Sequence, residues 1–246
     1  MFTKINTLSQ NLARAIVVSS DLSEPVKLKL KEFDIDIIPS YVNKNVNRYL
    51  SRHVDMQLVH ISDNTYLCEP SCYDYYKQHL EKYSINLLYG DTNLSSNYPG
   101  DIAYNIIITE DFAVHNFKYT DSKLKSFLNG KSLIDVSQGY AGCSVCKIES
   151  KAFITADAGI AKAMSQFDCE VLQISAGNII LEGFDTGFIG GACFMISNSI
   201  LVVNGNLYAH PDAEIIEQFC ESHGVKVIHF PDVPLTDIGS AVAIGL

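Results

Sequence analysis

Apolar and polar positions recur along this chain as a repeated unit. An apolar run, a polar turn and a second apolar run form a β-hairpin pattern. It appears at 60–67, 107–114, 147–154 and 195–202. The aligned isoleucines Ile61, Ile108, Ile148 and Ile196 lie 47, 40 and 48 residues apart by subtraction, within the range of repeat architectures. After each hairpin comes a helical pattern, at 69–82, 120–129, 157–166 and 211–222, and then a short buried strand, at 85–89, 132–136, 170–174 and 226–230. Pro70 and Pro211 suit a first helical turn, and Gly130 and Gly224 suit helix ends. The repeated unit is therefore strand, strand, helix, strand.

A fifth unit is split between the chain ends. Its first strand is 240–246 and its second 13–19; a helix follows from Pro25, with Ser23 as N-cap, and then a strand at 35–38. Pairing the two ends closes a ring and removes an exposed sheet edge. The expected architecture is one α/β domain over residues 1–246, a closed five-unit ββαβ propeller. Its units cover about 53–91, 101–138, 143–175, 191–232, and 240–246 with 13–40. The plainer alternative is an open α/β sheet whose units resemble one another only generically.

Composition narrows the partners. A net charge of −10 argues against nucleic acid, whose phosphates call for clustered Lys and Arg, and is compatible with a small cationic ligand. Residues 1–10 lack the apolar stretch of a signal peptide, and no apolar run is long enough to span a bilayer. Seven cysteines spread over the chain favour reduced thiols in a cytoplasm over a disulfide framework. The expectation is a cytoplasmic protein without membrane association. Its oligomeric state is open.

The loop leading into each hairpin carries the candidate chemistry. The first offers His53 and Asp55, two residues apart; on an extended chain they share a face. The second offers Tyr98 and Asp101, with Tyr104 and Asn105 just inside. The third offers Tyr140 and Cys143. The fourth runs from Ser175 to Gly191 with Asn178, Glu182 and Asp185, and the fifth offers Asp237, Gly239 and Ser240. In a closed ring of like units these loops converge at one end of the axis.

The five-unit pattern, from about Ala13 to Leu246, resembles the pentein or guanidino-group-modifying enzyme superfamily. That superfamily includes arginine and agmatine deiminases, dimethylarginine hydrolases, peptidylarginine deiminases and amidinotransferases. His53-Val54-Asp55 resembles the His-x-Asp motif of the deiminases. Tyr98-Pro99-Gly100-Asp101, the 138–144 segment around Cys143, the 187–191 segment and Asp237-Ile238-Gly239-Ser240 are similar to an uncharacterised bacterial family of this fold. The resemblance implies a hydrolase-like protein acting on a small guanidine or amidine compound, without a cofactor. Carboxylates would pair with the guanidinium, a thiolate would attack the central carbon, and an imidazole would protonate the leaving amine and activate water.

One departure matters. In the enzymes it resembles, the nucleophilic Cys stands near the C-terminus, whereas here that place holds Asp237-Ile238-Gly239-Ser240. Cys143 nevertheless lies two units after the His-x-Asp unit, as the family's Cys does, so the arrangement looks rotated by two units. Cys143 is then the nucleophile and His53 the acid/base; Asp55, Asp101, Asp185, Asp237 and Ser240 are the substrate-binding candidates. If the rotation fails the nucleophile is missing, and Ser240 is a poor substitute with no base identified beside it.

Each candidate has a plainer reading. Cys143 could be a small core hydrophobe, His53 a loop histidine held by Asp55, and Asp101 and Asp237 turn residues. Asp157 reads as a helix N-cap, and Gly190 and Gly191 as places of tight backbone. Cys143 and Cys146 would point opposite ways on a strand and lack a second Cys pair, so no metal site is expected. The functional alternative is a non-catalytic binding protein, as in the pentein-fold ribosome anti-association factor. Deiminase, dihydrolase and amidinotransferase share one first step and are not separated by residues alone.

Overall fold

A computed structural model describes residues 12–246. The reading of residues 1–10, and the first eleven residues of the expected domain, lie outside the described residues.

Among the described residues the strands form five three-stranded sheets. Each middle strand pairs antiparallel with one neighbour and parallel with the strand after the helix. The middle strands are Thr65–Cys68, Phe112–His115, Ala152–Thr155, Ile200–Val203 and Ala15–Val18. They are buried along almost their whole length, which is why they read as unbroken apolar runs rather than as an alternation. The two ends of the chain pair as the pattern predicts: Ala15 faces Ile244 and Val18 faces Ala241, with Asp36–Pro39 parallel on the other side.

Period-two geometry divides each middle strand between two apolar clusters. Ile16 and Val18 pack with Phe194 and Ile196 of the fourth unit, while Ala15 and Val17 pack with Leu58 and Tyr66 of the first. Leu67 turns the other way, towards Ala103 and Tyr104 of the second unit. Val114 packs with Phe153 of the third, and Ile154 with Leu201 and Val203 of the fourth. Each buried Leu, Ile or Val adds about 2 kcal/mol.

The helices are Glu24–Glu32, Tyr73–Leu80, Ser122–Ser126, Ala158–Met164 and Ala213–Ser222. Several are shorter than their sequence patterns. The second unit's helix ends at Ser126, and the chain reverses at Gly130 with φ +88°. Asp157 caps its helix by accepting the Ile160 N–H at 2.8 Å, whereas Ser23 stands at the N-cap position without a side-chain bond. Among the described residues no helix is long and apolar enough to cross a membrane. All seven cysteines are free and buried.

Two local departures shape the site. Val54–Met56 is a turn of 3-10 helix, not extended chain, so His53 and Asp55 do not share a strand face. Cys143 lies on a single helical turn, Ala141–Ser144, ahead of the strand Val145–Lys147.

Candidate active site

The first, third and fifth loops bring their polar side chains together. One ring nitrogen of His53, one carboxylate oxygen of Asp55 and Cys143 Sγ lie within 4.8 Å of one another. Cys143 Sγ is 2.8 Å from Asp55 Oδ2. The 3-10 turn achieves this juxtaposition in place of a strand: the Asp55 N–H bonds the Gly239 carbonyl at 3.2 Å, tying the first loop to the fifth. Asp237 sits opposite, with Oδ1 at 3.9 Å from His53 Nδ1.

Asn105 holds the thiol in place. Its Oδ1 accepts the Cys143 N–H and its Nδ2 donates to Cys143 Sγ, both at 3.0 Å. Asp237 is held by the N–H groups of Phe188 and Gly239, each at 2.9 Å. The fit explains two glycines. At Gly191 a Cβ would overlap Asp237 Oδ1. At Gly239, with φ +74°, it would overlap His53.

Electrostatics set the resting state. Asp55 is half-exposed as a residue, but its Oδ1 is shut off from solvent, and burial raises its pKa from 3.8 to about 6. Burial, followed by the charges of Asp55 and Asp237, pushes the Cys143 thiol well above its ordinary range. Cys143 rests as a thiol hydrogen-bonded to Asp55.

Other buried acids differ. Glu69 accepts from Ser71, Cys72, Asn43 and the Leu94 N–H. Asp121 accepts from three backbone N–H groups. Both are saturated, whereas Asp55 Oδ1 has no partner, nor do His53 Nδ1, Asp101 Oδ1 and Ser144 Oγ. Buried unpaired polar atoms are rare in folded proteins. Two of the nine found among the described residues, on His53 and Asp55, belong to side chains that meet Cys143.

A cavity of about 110 Å³ opens above the thiol. His53, Cys143 and Asp237 line it, with Tyr140, Met56, Leu50, and Leu181, Phe184, Thr186 and Phe188 from the fourth loop. Asp101 stands behind this wall, accepting the Tyr140 hydroxyl at 2.7 Å; burial raises its pKa. Asp185 is exposed and outside the lining, although its neighbours Phe184 and Thr186 are in it. Ser240 Oγ donates to the Cys193 carbonyl at 2.9 Å and does not line the cavity. Gly190 packs against the carbonyls of Cys143 and Val145.

The apolar faces of the fourth loop were not among the sequence candidates. That loop has no periodicity, and its acids drew attention instead. Asn105 was legible only as a polar residue just inside the second loop.

Comparison with known proteins places this architecture. Inosamine-phosphate amidinotransferase of Streptomyces griseus superposes with a TM-score of 0.59 at 9% identity, over 96% of this chain and 94% of that one. An amidinotransferase of the saxitoxin pathway from Microseira wollei gives 0.54 at 8%, over 96% and 95%. C. jejuni agmatine deiminase gives 0.55 at 12%, over 89% and 88%. The fold is thus the pentein fold of guanidino-group-modifying enzymes. Within it, residues 17–242 match the family of unknown function DUF6873, and the chain belongs to that family. No curated protein matches.

Proposed function

We propose that this chain is an amidine-modifying enzyme that uses Cys143 as nucleophile on a small guanidine or amidine cation. The reading rests on one observation. A thiol, an imidazole and the Asp237 carboxylate line one otherwise largely apolar cavity, Asp55 bonds the thiol from beneath it, and no Lys or Arg stands among the described lining residues. The structural neighbours named above for guanidino chemistry, an agmatine deiminase and two amidinotransferases, share the fold.

The site's electrostatics favour a cation. Entry of a planar guanidinium beside Asp55 and Asp237 offsets the charges that hold the Cys143 proton in place. Cys143 then gives its proton to His53, and the thiolate adds to the central carbon. His53 protonates the departing nitrogen and afterwards takes a proton from water as it attacks the amidino-cysteine intermediate. The products are the leaving amine or ammonia and a urea-type compound; an amine in place of water would make the same step a transfer.

The five apolar clusters, each shared by two successive sheets, support a closed ring of five ββαβ units forming one domain, with the loops converging at one end. In that ring Cys143 follows the His53 unit by two places, the spacing of the enzymes it resembles with the chain ends rotated. Free thiols suit a reducing, cytoplasmic setting.

The test is turnover of a panel of simple guanidines and amidines, followed by amine and ammonia release. Cys143→Ala should abolish it, and His53→Ala should lower kcat by about 10²- to 10⁴-fold. Turnover that survives Cys143→Ala would overturn the assignment.

A further inference from the structure

A second cavity, of about 200 Å³, lies beside the first, and Thr186 and Phe188 line both. Cys143 faces one cavity and the next residue, Ser144, faces the other. Their Cα atoms are only about 3.8 Å apart. Ser144 is 2% exposed, and its hydroxyl has no hydrogen-bond partner. Asp157 lines the same cavity. Its Oδ1 caps a helix, while Oδ2 accepts only a long 3.3 Å bond from Gln138. The lining otherwise consists of apolar residues, glycines, Ser175 and Thr186, whose hydroxyl already bonds backbone carbonyls, and Asp157 is its one charged member among the described residues.

The first cavity is small. One of about 150 Å³ accommodates benzene, so 110 Å³ holds an amidine head and little more. A substituent on that head has to go elsewhere. The second cavity adjoins the first at Thr186 and Phe188, where the chain is held by the Phe188 N–H bond to Asp237 and the Gly187 N–H bond to the Ile179 carbonyl at 2.8 Å.

We infer that the second cavity is a subsite for the substrate's tail, and that it selects a short tail ending in a hydrogen-bond donor, an amine or hydroxyl, received by Ser144 Oγ and the Asp157 carboxylate. This rests on the guanidine reading above and narrows it. A tail ending in a carboxylate would meet Asp157 with no Lys or Arg in either lining to offset it, so guanidino acids are excluded as good substrates.

Four probes of equal length test this: propylguanidine, hydroxypropylguanidine, aminopropylguanidine and guanidinopropanoate. Wild-type kcat/KM is measured for each, and Kd is measured with the Cys143→Ala protein so that turnover does not consume the probe. The amine and hydroxyl tails should exceed propylguanidine by about tenfold or more, and guanidinopropanoate should fall below it. Ser144→Ala and Asp157→Asn should each bring the ratio of donor-tailed to propyl probe towards one; Asn is itself a good N-cap, so the helix is kept. Turnover or binding of all four probes at similar levels would overturn the subsite and leave the guanidine reading standing. A tail preference that persists in both variants would also overturn it. Failure of all four probes to react or bind would overturn the guanidine reading and the subsite together.

Discussion

At the scale of single residues, Asp55 combines its proposed role with a liability. Its carboxyl titrates near 6 when folded, against an ordinary 3.8. The folded protein therefore keeps a proton that the unfolded chain gives up. Its contribution to stability is fully present below about pH 4 and is lost as the pH rises through 6. A shift of about two units corresponds to about 3 kcal/mol at most. Asp55→Asn, whose amide oxygen can still accept the thiol proton, should therefore stabilise the protein by about 2 kcal/mol at pH 8 and leave it nearly unchanged at pH 4, in denaturant unfolding at the two pH values. Activity should move the opposite way. The wild-type kcat/KM should rise through about pH 6 as Asp55 ionises to receive the cation, and that limb should vanish in Asp55→Asn. An equal stability change at both pH values would show that Asp55 is not held protonated by burial.

At the scale of elements, the sequence pattern located the hairpins and the strands after the helices, because burial on two faces leaves an unbroken apolar signature. The same pattern misread the two turns that matter most. His53–Asp55 was expected to be extended and is a 3-10 turn. Cys143 was expected in a loop and lies on one helical turn. Segments this short have no period to detect; distant partners hold them, the Gly239 carbonyl for the first and Asn105 for the second. His53, Cys143 and Asp237 were still legible, because equivalent loops of a repeat are brought to one place whatever their local conformation. Asp185 and Ser240 stood in the same loops by the same logic, yet the side chains point to solvent and to a neighbouring carbonyl. Asn105→Ala should leave the buried Cys143 N–H unpaired, costing about 1–3 kcal/mol. Haloacetamidine modification of Cys143 in that variant should lose its site selectivity, read by peptide mapping alongside thermal unfolding. Unchanged stability and labelling would show that Asn105 does not position the thiol.

At the scale of the whole molecule, stability is shared between neighbouring sheets. Each middle strand feeds two clusters, so a defect in one sheet reaches two interfaces. Leu201 is fully buried between the third and fourth units, and Leu201→Ala should cost about 3 kcal/mol. Leu28→Ala, at a residue 58% exposed, should change stability by less than about 0.5 kcal/mol in the same unfolding assay. Charge acts at this scale too. With a net charge of −10, the protein should capture a cationic guanidine more slowly as salt rises, so kcat/KM should fall with ionic strength while kcat holds.

The central claim is that Cys143 is an activated nucleophile beside a cation pocket. The most direct measurement is site-resolved alkylation with a haloacetamidine, compared with neutral iodoacetamide, on the wild type and on His53→Ala and Asp55→Ala. The account predicts that the cationic reagent labels Cys143 fast and selectively, far ahead of the other six thiols and of the neutral reagent, and that both variants lose this advantage. Slow labelling spread over several cysteines, with no preference for the cation, would contradict it and leave a pentein fold that binds without turning over.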